Sequence, residues 1–126
     1  MKSKRSIIGK RSKEKGNSYE CKIAKLLSAE LGIDLRRVPA SGSLDLKGDI
    51  CRADFKPLNI LIDTKNYKSL LGARLMKEMH KAEEDGKKAK VADRCLLIIH
   101  EYNTQNDYVL MPLAFLLELL KKTDII

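Results

Sequence analysis

The chain of 126 residues has no tryptophan and only four tyrosines and two phenylalanines. A packed core must therefore be mostly aliphatic, and stacking of single-stranded nucleic acid on aromatic side chains is disfavoured. No apolar run approaches the roughly 20 residues that a membrane-spanning helix needs, and the basic N-terminus lacks the apolar stretch of a signal peptide. These absences argue against a membrane-spanning or secreted protein and favour a cytoplasmic one.

Cysteine and histidine are also scarce. The three cysteines are far apart, no Cys-x-x-Cys occurs, and there are only two histidines, His80 and His100. The spacing of a zinc site is therefore absent. Unpaired thiols fit a reducing cytosol, and so few histidines argue against nucleases that depend on several of them.

Acidic residues are outnumbered by basic ones, 17 Asp and Glu against 25 Lys and Arg, which gives a formal charge of +8. Most of the excess lies in residues 1–15, where Glu14 is the one acid. Such a concentration of charge suits a polyanion such as DNA, RNA or an acidic membrane, although a solvated, disordered leader explains it equally well. We therefore predict a basic flexible arm over residues 1–15 and a single domain over residues 16–126.

The domain sequence predicts eight elements in the order α-β-β-β-α-β-β-α. The first is a helix that Asn17 caps and Gly32 ends. The second and third strands suit a hairpin with a turn near residues 55–57. Helices on the faces of one sheet define an α/β domain. After the first helix, the predicted elements are strands over 33–38, 48–53 and 59–65, a helix over 71–90, a strand over 94–100, a short strand ending at Met111, and a helix over 112–122.

The pattern acid-x-Lys occurs five times, but only Asp63 and Lys65 end a strand-like apolar run, residues 60–62. Residues two apart on a strand share a face, so Asp63 and Lys65 should point the same way. If the preceding strand pairs antiparallel, Asp49 can converge on Asp63, and two close carboxylates repel unless a cation lies between them. Mg²⁺ prefers such oxygen ligands. The alternative is that these are ordinary charges on a solvated strand end.

Together with three further segments, these residues resemble the PD-(D/E)xK nuclease superfamily and, more narrowly, the archaeal-type Holliday junction resolvases, including those carried by viruses. The resemblance covers about residues 13–70, and its helix and Pro-Ala-Ser-Gly-Ser loop are more specific than the acid-x-Lys pattern. The matching segments, in order, are Lys15-Gly16 followed by Glu20, then Arg37-Val38-Pro39-Ala40-Ser41-Gly42-Ser43, then Gly48-Asp49-Ile50, and then Leu61-Ile62-Asp63-Thr64-Lys65.

The resemblance implies a restriction-endonuclease-like α/β core, with a central mixed five-stranded sheet flanked by helices. It also implies a Mg²⁺-dependent endonuclease, with Mn²⁺ as a substitute, that cuts four-way junctions in branched DNA. The enzyme would act as a symmetric homodimer in the cytoplasm of a prokaryotic or virus-infected cell. Its metal ligands would be Glu20, Asp49, Asp63 and the Thr64 carbonyl, its catalytic residues would also include Lys65 and Ser41, and its DNA contacts would be Lys10, Arg11, Lys13, Lys15, Arg37 and Ser43.

Some of these roles have rivals in the sequence. Asn17 and Glu20 also form a capping box, Asp45 could replace Asp49, and Ser43 competes with Ser41.

The chain also departs from the family pattern at three positions. It has Cys21 where the family usually has Arg, Asp63 where Glu is usual, and Gly48 in place of Pro before Asp49. Two other functions therefore stay open. The protein could be a PD-(D/E)xK nuclease acting on other branched or duplex DNA, or a non-catalytic basic DNA-binding protein.

Overall fold

The computed structural model describes the backbone of residues 4–39, 46–66 and 72–125, and the side chains of these residues from Ser18 onward. The elements follow the predicted order. They are α1 (Lys4–Leu31), β1 (Leu35–Arg37), β2 (Ile50–Arg52), β3 (Leu61–Lys65), α2 (Gly72–Lys88), β4 (Cys95–His100), β5 (Asp107–Leu110) and α3 (Leu113–Lys121).

Helix α1 begins much earlier than the sequence predicted. It starts at Lys4 and runs through Gly16 and Asn17. A capping residue must lie outside the helical turns, so Asn17 does not cap α1 and the capping-box interpretation of Glu20 is wrong. Gly32 ends the helix as predicted, with a φ of +68°. Whether residues 1–15 act as a flexible arm stays a prediction.

The strands form two sheets, so the prediction of one five-stranded sheet is wrong for the described residues. Strands β1 and β2 pair antiparallel in a two-stranded sheet. The second sheet has the order β3-β4-β5. It is mixed, because β3 and β4 are parallel whereas β4 and β5 are antiparallel. The predicted hairpin between the second and third strands does not form.

Gly48 and Asp49 explain why the two sheets stay separate. The Asp49 amide donates to the Ile62 carbonyl at 2.8 Å, as in a ladder. The Thr64 amide, however, donates to the Asp49 side chain, at 2.8 Å from Oδ2. Gly48 turns the chain with a φ of +83°, and a Cβ at this position would lie 3.0 Å from the Ile62 carbonyl oxygen. A carboxylate thus takes the place of a main-chain acceptor, and the ladder ends there.

The two faces of β3 are buried against different helices, because successive strand residues point to opposite sides. Ile62 belongs to an apolar cluster with α1 and the two-stranded sheet, whereas Leu61 belongs to one with α2. The buried members of the first cluster are Tyr19, Ile23, Ala24, Leu35, Ile50, Ile62 and Ile98. Those of the second are Leu61, Met79, Ala82, Val91, Cys95 and Leu97.

None of the helices in the described part of the chain is long and apolar enough to cross a membrane.

Candidate active site

The carboxyl end of β3 presents two charged side chains toward α2. Asp63 is only 7% exposed. Two residues on, the Lys65 ammonium forms an ion pair with Glu78 of α2, with 3.2 Å between Nζ and Oε2. The burial of these groups excludes the interpretation of ordinary charges on a solvated strand end, since water does not compensate them there.

Asp49 is attached to the same part of β3 through its side chain. Its Oδ2 accepts the hydrogen bond of the Thr64 amide at 2.8 Å and lies 3.4 Å from the Thr64 hydroxyl oxygen. Thr64 is the residue between Asp63 and Lys65. The contact therefore places the Asp49 carboxylate beside the acid-x-Lys segment, although the hairpin assumed for the approach of Asp49 to Asp63 is absent.

Glu20 lies on α1 and approaches the end of β3 that carries Asp63 and Lys65. Its Oε2 lies 3.9 Å from Nη1 of Arg37, the last residue of β1, and both side chains are largely buried. Burial raises the pKa of Glu20, the negative charge of Asp49 raises it further, and the charges of Arg37 and Lys65 oppose both effects. The Glu20 side chain therefore lies within electrostatic reach of the predicted catalytic residues.

The main electrostatic feature of the site is that burial and the negative charge of Asp49 raise the pKa values of Glu20 and Asp63. Burial raises the pKa of Asp63 to about 7, with the negative charge of Asp49 as the second cause and the positive charge of Lys65 acting against it. The Asp63 and Glu20 carboxylates are therefore costly to keep ionised beside Asp49. A cation among them would remove that cost.

The donor chemistry of the site fits a hard divalent ion, since carboxylate oxygens are the ligands that Mg²⁺ and Mn²⁺ prefer. However, among the described residues no three His, Cys, Asp or Glu side chains lie close enough together to hold one ion. Glu20, Asp49 and Asp63 share a region without forming a closed metal centre. Joint ligation by these acids and the Thr64 carbonyl stays a prediction.

The remaining predicted residues are placed only in part. Arg37 lies at the site through its contact with Glu20, and Cys21, the departure from the family pattern, is exposed. Other predictions concern residues or side chains outside the described part of the chain: Lys10, Arg11, Lys13, Lys15, Ser41, Ser43 and Asp45.

Helix α2 contributes charged residues that the sequence did not single out. Besides Glu78, the charges of Asp85 and Lys81 act on Asp63, the first raising its pKa and the second lowering it. Glu78 and Asp85 each lie about one helical turn from buried Ala82, one before it and one after it, and so share its face of α2. That periodicity is a usable signal, but α2 holds several acids and the sequence does not show which of them meets β3.

A second polar cluster anchors the part of α1 that carries Glu20. The Tyr19 hydroxyl donates to Oδ1 of Asp107 at 2.7 Å, and Nδ1 of His100 lies 3.0 Å from the same oxygen. Burial alone would raise the pKa of Asp107, but the hydrogen bonds from Tyr19 and His100 together lower it. The cluster joins α1 to β4 and β5. The three-stranded sheet therefore helps to fix the position of Glu20, which follows Tyr19.

Comparison with known proteins shows the family to which the chain belongs. No curated protein and no solved structure matches the chain. A family model described as "Phage putative PDDEXK endonuclease" matches residues 11–125, which is nearly the whole chain. The match includes Glu20, Asp49, Asp63 and Lys65. The chain therefore belongs to this phage family of PD-(D/E)xK endonucleases.

Proposed function

We propose that this nuclease is a Mg²⁺-dependent endonuclease that cuts four-way DNA junctions, with Mn²⁺ able to replace Mg²⁺. The catalytic part rests on one observation, the contact between the Asp49 carboxylate and the Thr64 amide. That contact holds Asp49 beside the buried Asp63 and the largely shielded Lys65. Oxygen ligands and an ammonium are thereby available at one strand end.

The proposed division of roles follows from the chemistry of each side chain. Glu20, Asp49 and Asp63, with the Thr64 carbonyl, would hold the ion, which when bound supplies an activated water and neutralises charge on the phosphate. Lys65 would stabilise the charge that develops on the phosphate oxygens. Asp63 must release its proton before it can bind a cation. Burial of Asp63 and Lys65 strengthens these interactions because little water competes for them.

The proposed DNA contacts are the basic residues of α1 and β1 together with the Pro-Ala-Ser-Gly-Ser loop. Arg37 already lies beside Glu20, so it could bind a phosphate next to the scissile one. We assign backbone contacts to Lys10, Arg11, Lys13, Lys15 and Ser43, and a place near the scissile phosphate to Ser41. Phosphate contacts fix orientation without reading sequence, which suits an enzyme selective for DNA shape. Such an enzyme would process branched phage DNA in the cytoplasm of the infected cell.

We also propose a homodimer, because the C-terminal part of the described chain exposes much apolar surface. Of the residues in α3 only Phe115 is buried, whereas Leu113 is 68% exposed and Leu117 is 48% exposed. Val109 on β5 is 50% exposed. A two-fold dimer would present two equal sites to a two-fold branched substrate.

The dimer is tested by sedimentation of the full chain at low micromolar concentration. We expect a dimer for the wild type and a monomer for Leu117→Glu, because a carboxylate buried at an apolar interface is strongly unfavourable. The matched control is Leu26→Glu, since Leu26 is as exposed as Leu117 but lies on α1. A wild type that sediments only as a monomer contradicts the homodimer.

The substrate is tested with a synthetic four-way junction and a linear duplex of the same arm sequence, each with Mg²⁺ and with a chelator. We expect metal-dependent, paired cuts in opposing strands of the junction and much slower cleavage of the duplex. Since phosphate contacts release counterions, affinity should also fall steeply with salt. Equal cleavage of the duplex would favour another PD-(D/E)xK nuclease activity. Salt-sensitive binding without metal-dependent cleavage would leave only a basic DNA-binding protein.

A further inference from the structure

We propose that Glu78 of α2 is a positioning residue that holds the Lys65 ammonium in place for cleavage. The inference rests on the proposed function, because it assigns Glu78 a role only if Lys65 acts on the scissile phosphate. Glu78 lies outside the acid-x-Lys motif and outside the segments that carry the resemblance, which end near residue 70. It enters the site solely because α2 packs against the face of β3 that carries Asp63 and Lys65.

The contact itself is short and shielded from water. Lys65 Nζ lies 3.2 Å from Glu78 Oε2, and the two side chains are 17% and 19% exposed. Ion pairs on the protein surface contribute little because water and salt screen them. This pair is shielded, so removal of one partner leaves the other charge poorly compensated.

The contact with Glu78 is compatible with a role of the Lys65 ammonium toward a substrate. No described residue donates a well-directed hydrogen bond to Glu78 Oε2, although that atom is buried. The contact with Lys65 is therefore mainly electrostatic. An ammonium has three donors on a flexible stem, so it can turn N–H groups toward a phosphate while Glu78 continues to hold its charge nearby.

Glu78 is suited to this task because its backbone is rigid. Its neighbour Met79 is 3% exposed, and Ala82, one turn further along α2, is completely buried in the same cluster as Leu61 of β3. The packing of α2 on β3 thus sets where the Glu78 carboxylate lies. A lysine loses considerable rotamer freedom when it is held in one place, and Glu78 compensates for this loss before substrate arrives.

The role is tested in the full-length protein with Glu78→Gln, Lys65→Ala and the double variant. The matched control is Glu84→Gln, which makes the same change at an exposed position of α2. Steady-state cleavage of the four-way junction gives kcat and KM. Calorimetric titration with Mn²⁺ alone gives metal binding without relying on activity. Thermal unfolding shows whether each variant is folded.

For Glu78→Gln we expect a fall in kcat on the order of 10- to 100-fold, the scale expected when a catalytic group is displaced by about 1 Å. KM and Mn²⁺ binding should be unchanged, and Glu84→Gln should behave as wild type. In the Lys65→Ala background Glu78→Gln should have no further effect, because residues that act through one another are not additive. Glu78→Asp, which keeps the charge, should recover part of the lost rate.

The outcomes separate this inference from the proposed function. If Lys65→Ala cleaves as well as wild type, the proposed function fails first. If Lys65→Ala is inactive but Glu78→Gln keeps full kcat, only the positioning role is overturned. A loss of Mn²⁺ binding in Glu78→Gln would also overturn it, because Glu78 would then be a metal ligand.

Discussion

Replacement of Lys65 or Asp63 by alanine should nearly abolish cleavage of the four-way junction. Removal of one group that stabilises transition-state charge typically costs on the order of 10²- to 10³-fold in rate, and a lost metal ligand should cost at least as much. Lys65→Ala should act mainly on kcat, because the ammonium is expected to stabilise charge that develops during the reaction. Asp63→Ala should also weaken Mn²⁺ binding. Single-turnover cleavage assays with saturating enzyme measure the effect on chemistry directly.

The matched controls for this experiment are Asp54→Ala and Lys56→Ala. These residues have the same acid-x-Lys spacing but lie in an exposed segment after β2, where Asp54 pairs with Arg52. Both control variants should cleave within a fewfold of wild type. Full activity in Asp63→Ala and Lys65→Ala together would contradict the proposed mechanism.

A second large effect concerns stability, which Asp63→Asn should increase at neutral and alkaline pH. The folded-state pKa of Asp63 is about 7, above its ordinary value of 3.8, mainly because the carboxyl is buried and next because Asp49 is negative. At low pH Asp63 is protonated in both the folded and the unfolded chain, so it does not change the free energy of unfolding. As the pH rises from about 4 to about 7 the unfolded chain loses this proton more readily than the folded chain, and folding becomes less favourable.

The substitution to asparagine removes this penalty. Each pKa unit corresponds to about 1.4 kcal/mol, so the free energy of unfolding should rise by roughly 2 to 4 kcal/mol above about pH 8, and hardly at all near pH 4. Chemical denaturation of both proteins across this pH range measures the difference. A stability difference that does not depend on pH would contradict the assignment of a raised pKa to Asp63.

A divalent ion should stabilise the wild type for the same reason. An ion that binds only the folded chain adds about 2.7 kcal/mol when its concentration is a hundred times its dissociation constant. Mg²⁺ or Mn²⁺ should therefore raise the melting temperature of the wild type at alkaline pH, and much less that of Asp63→Asn. If neither ion changes the melting temperature of the wild type, the carboxylates do not hold a cation.

The predictions for Asp63→Asn and for a divalent ion both describe a site whose catalytic groups lower the stability of the fold. A buried Asp63 whose negative neighbour opposes its ionisation weakens the fold, as active sites commonly do. Lys65 and Lys81 offset this cost only in part, since their positive charges lower the pKa of Asp63 but leave it above its ordinary value. A cation is the missing compensating charge in this interpretation.

Local patterns explain the parts of the fold that the sequence predicted well. The order of the eight elements and the shared face of Asp63 and Lys65 follow from hydrophobic periodicity, which depends only on neighbouring residues. The helix start was wrong because a basic segment with two internal glycines, Gly9 and Gly16, still propagates an α-helix at a modest cost in propensity. Asn17 therefore lies inside the helix and does not cap it, although its local sequence indicated a cap.

Long-range contacts account for what could not be predicted. The prediction of a five-stranded sheet was wrong because the Thr64 amide donates its hydrogen bond to the Asp49 side chain and not to another main-chain carbonyl. Glu78 was missed because acid-rich α2 gives no local sign of which carboxylate meets Lys65. Tyr19 and Asp107 are 88 positions apart and meet only in the folded chain.

The sequence by itself determined the composition of the site: which acids and which lysine the chain has, and the strand on which Asp63 and Lys65 share a face. Residue type and strand alternation are local properties, and they were enough to indicate the superfamily. Only the tertiary structure decided which groups share an environment, because burial and the approach of α1 and α2 to β3 depend on packing across the whole chain. Packing of this kind raises the pKa of Asp63 and places Glu78 beside Lys65.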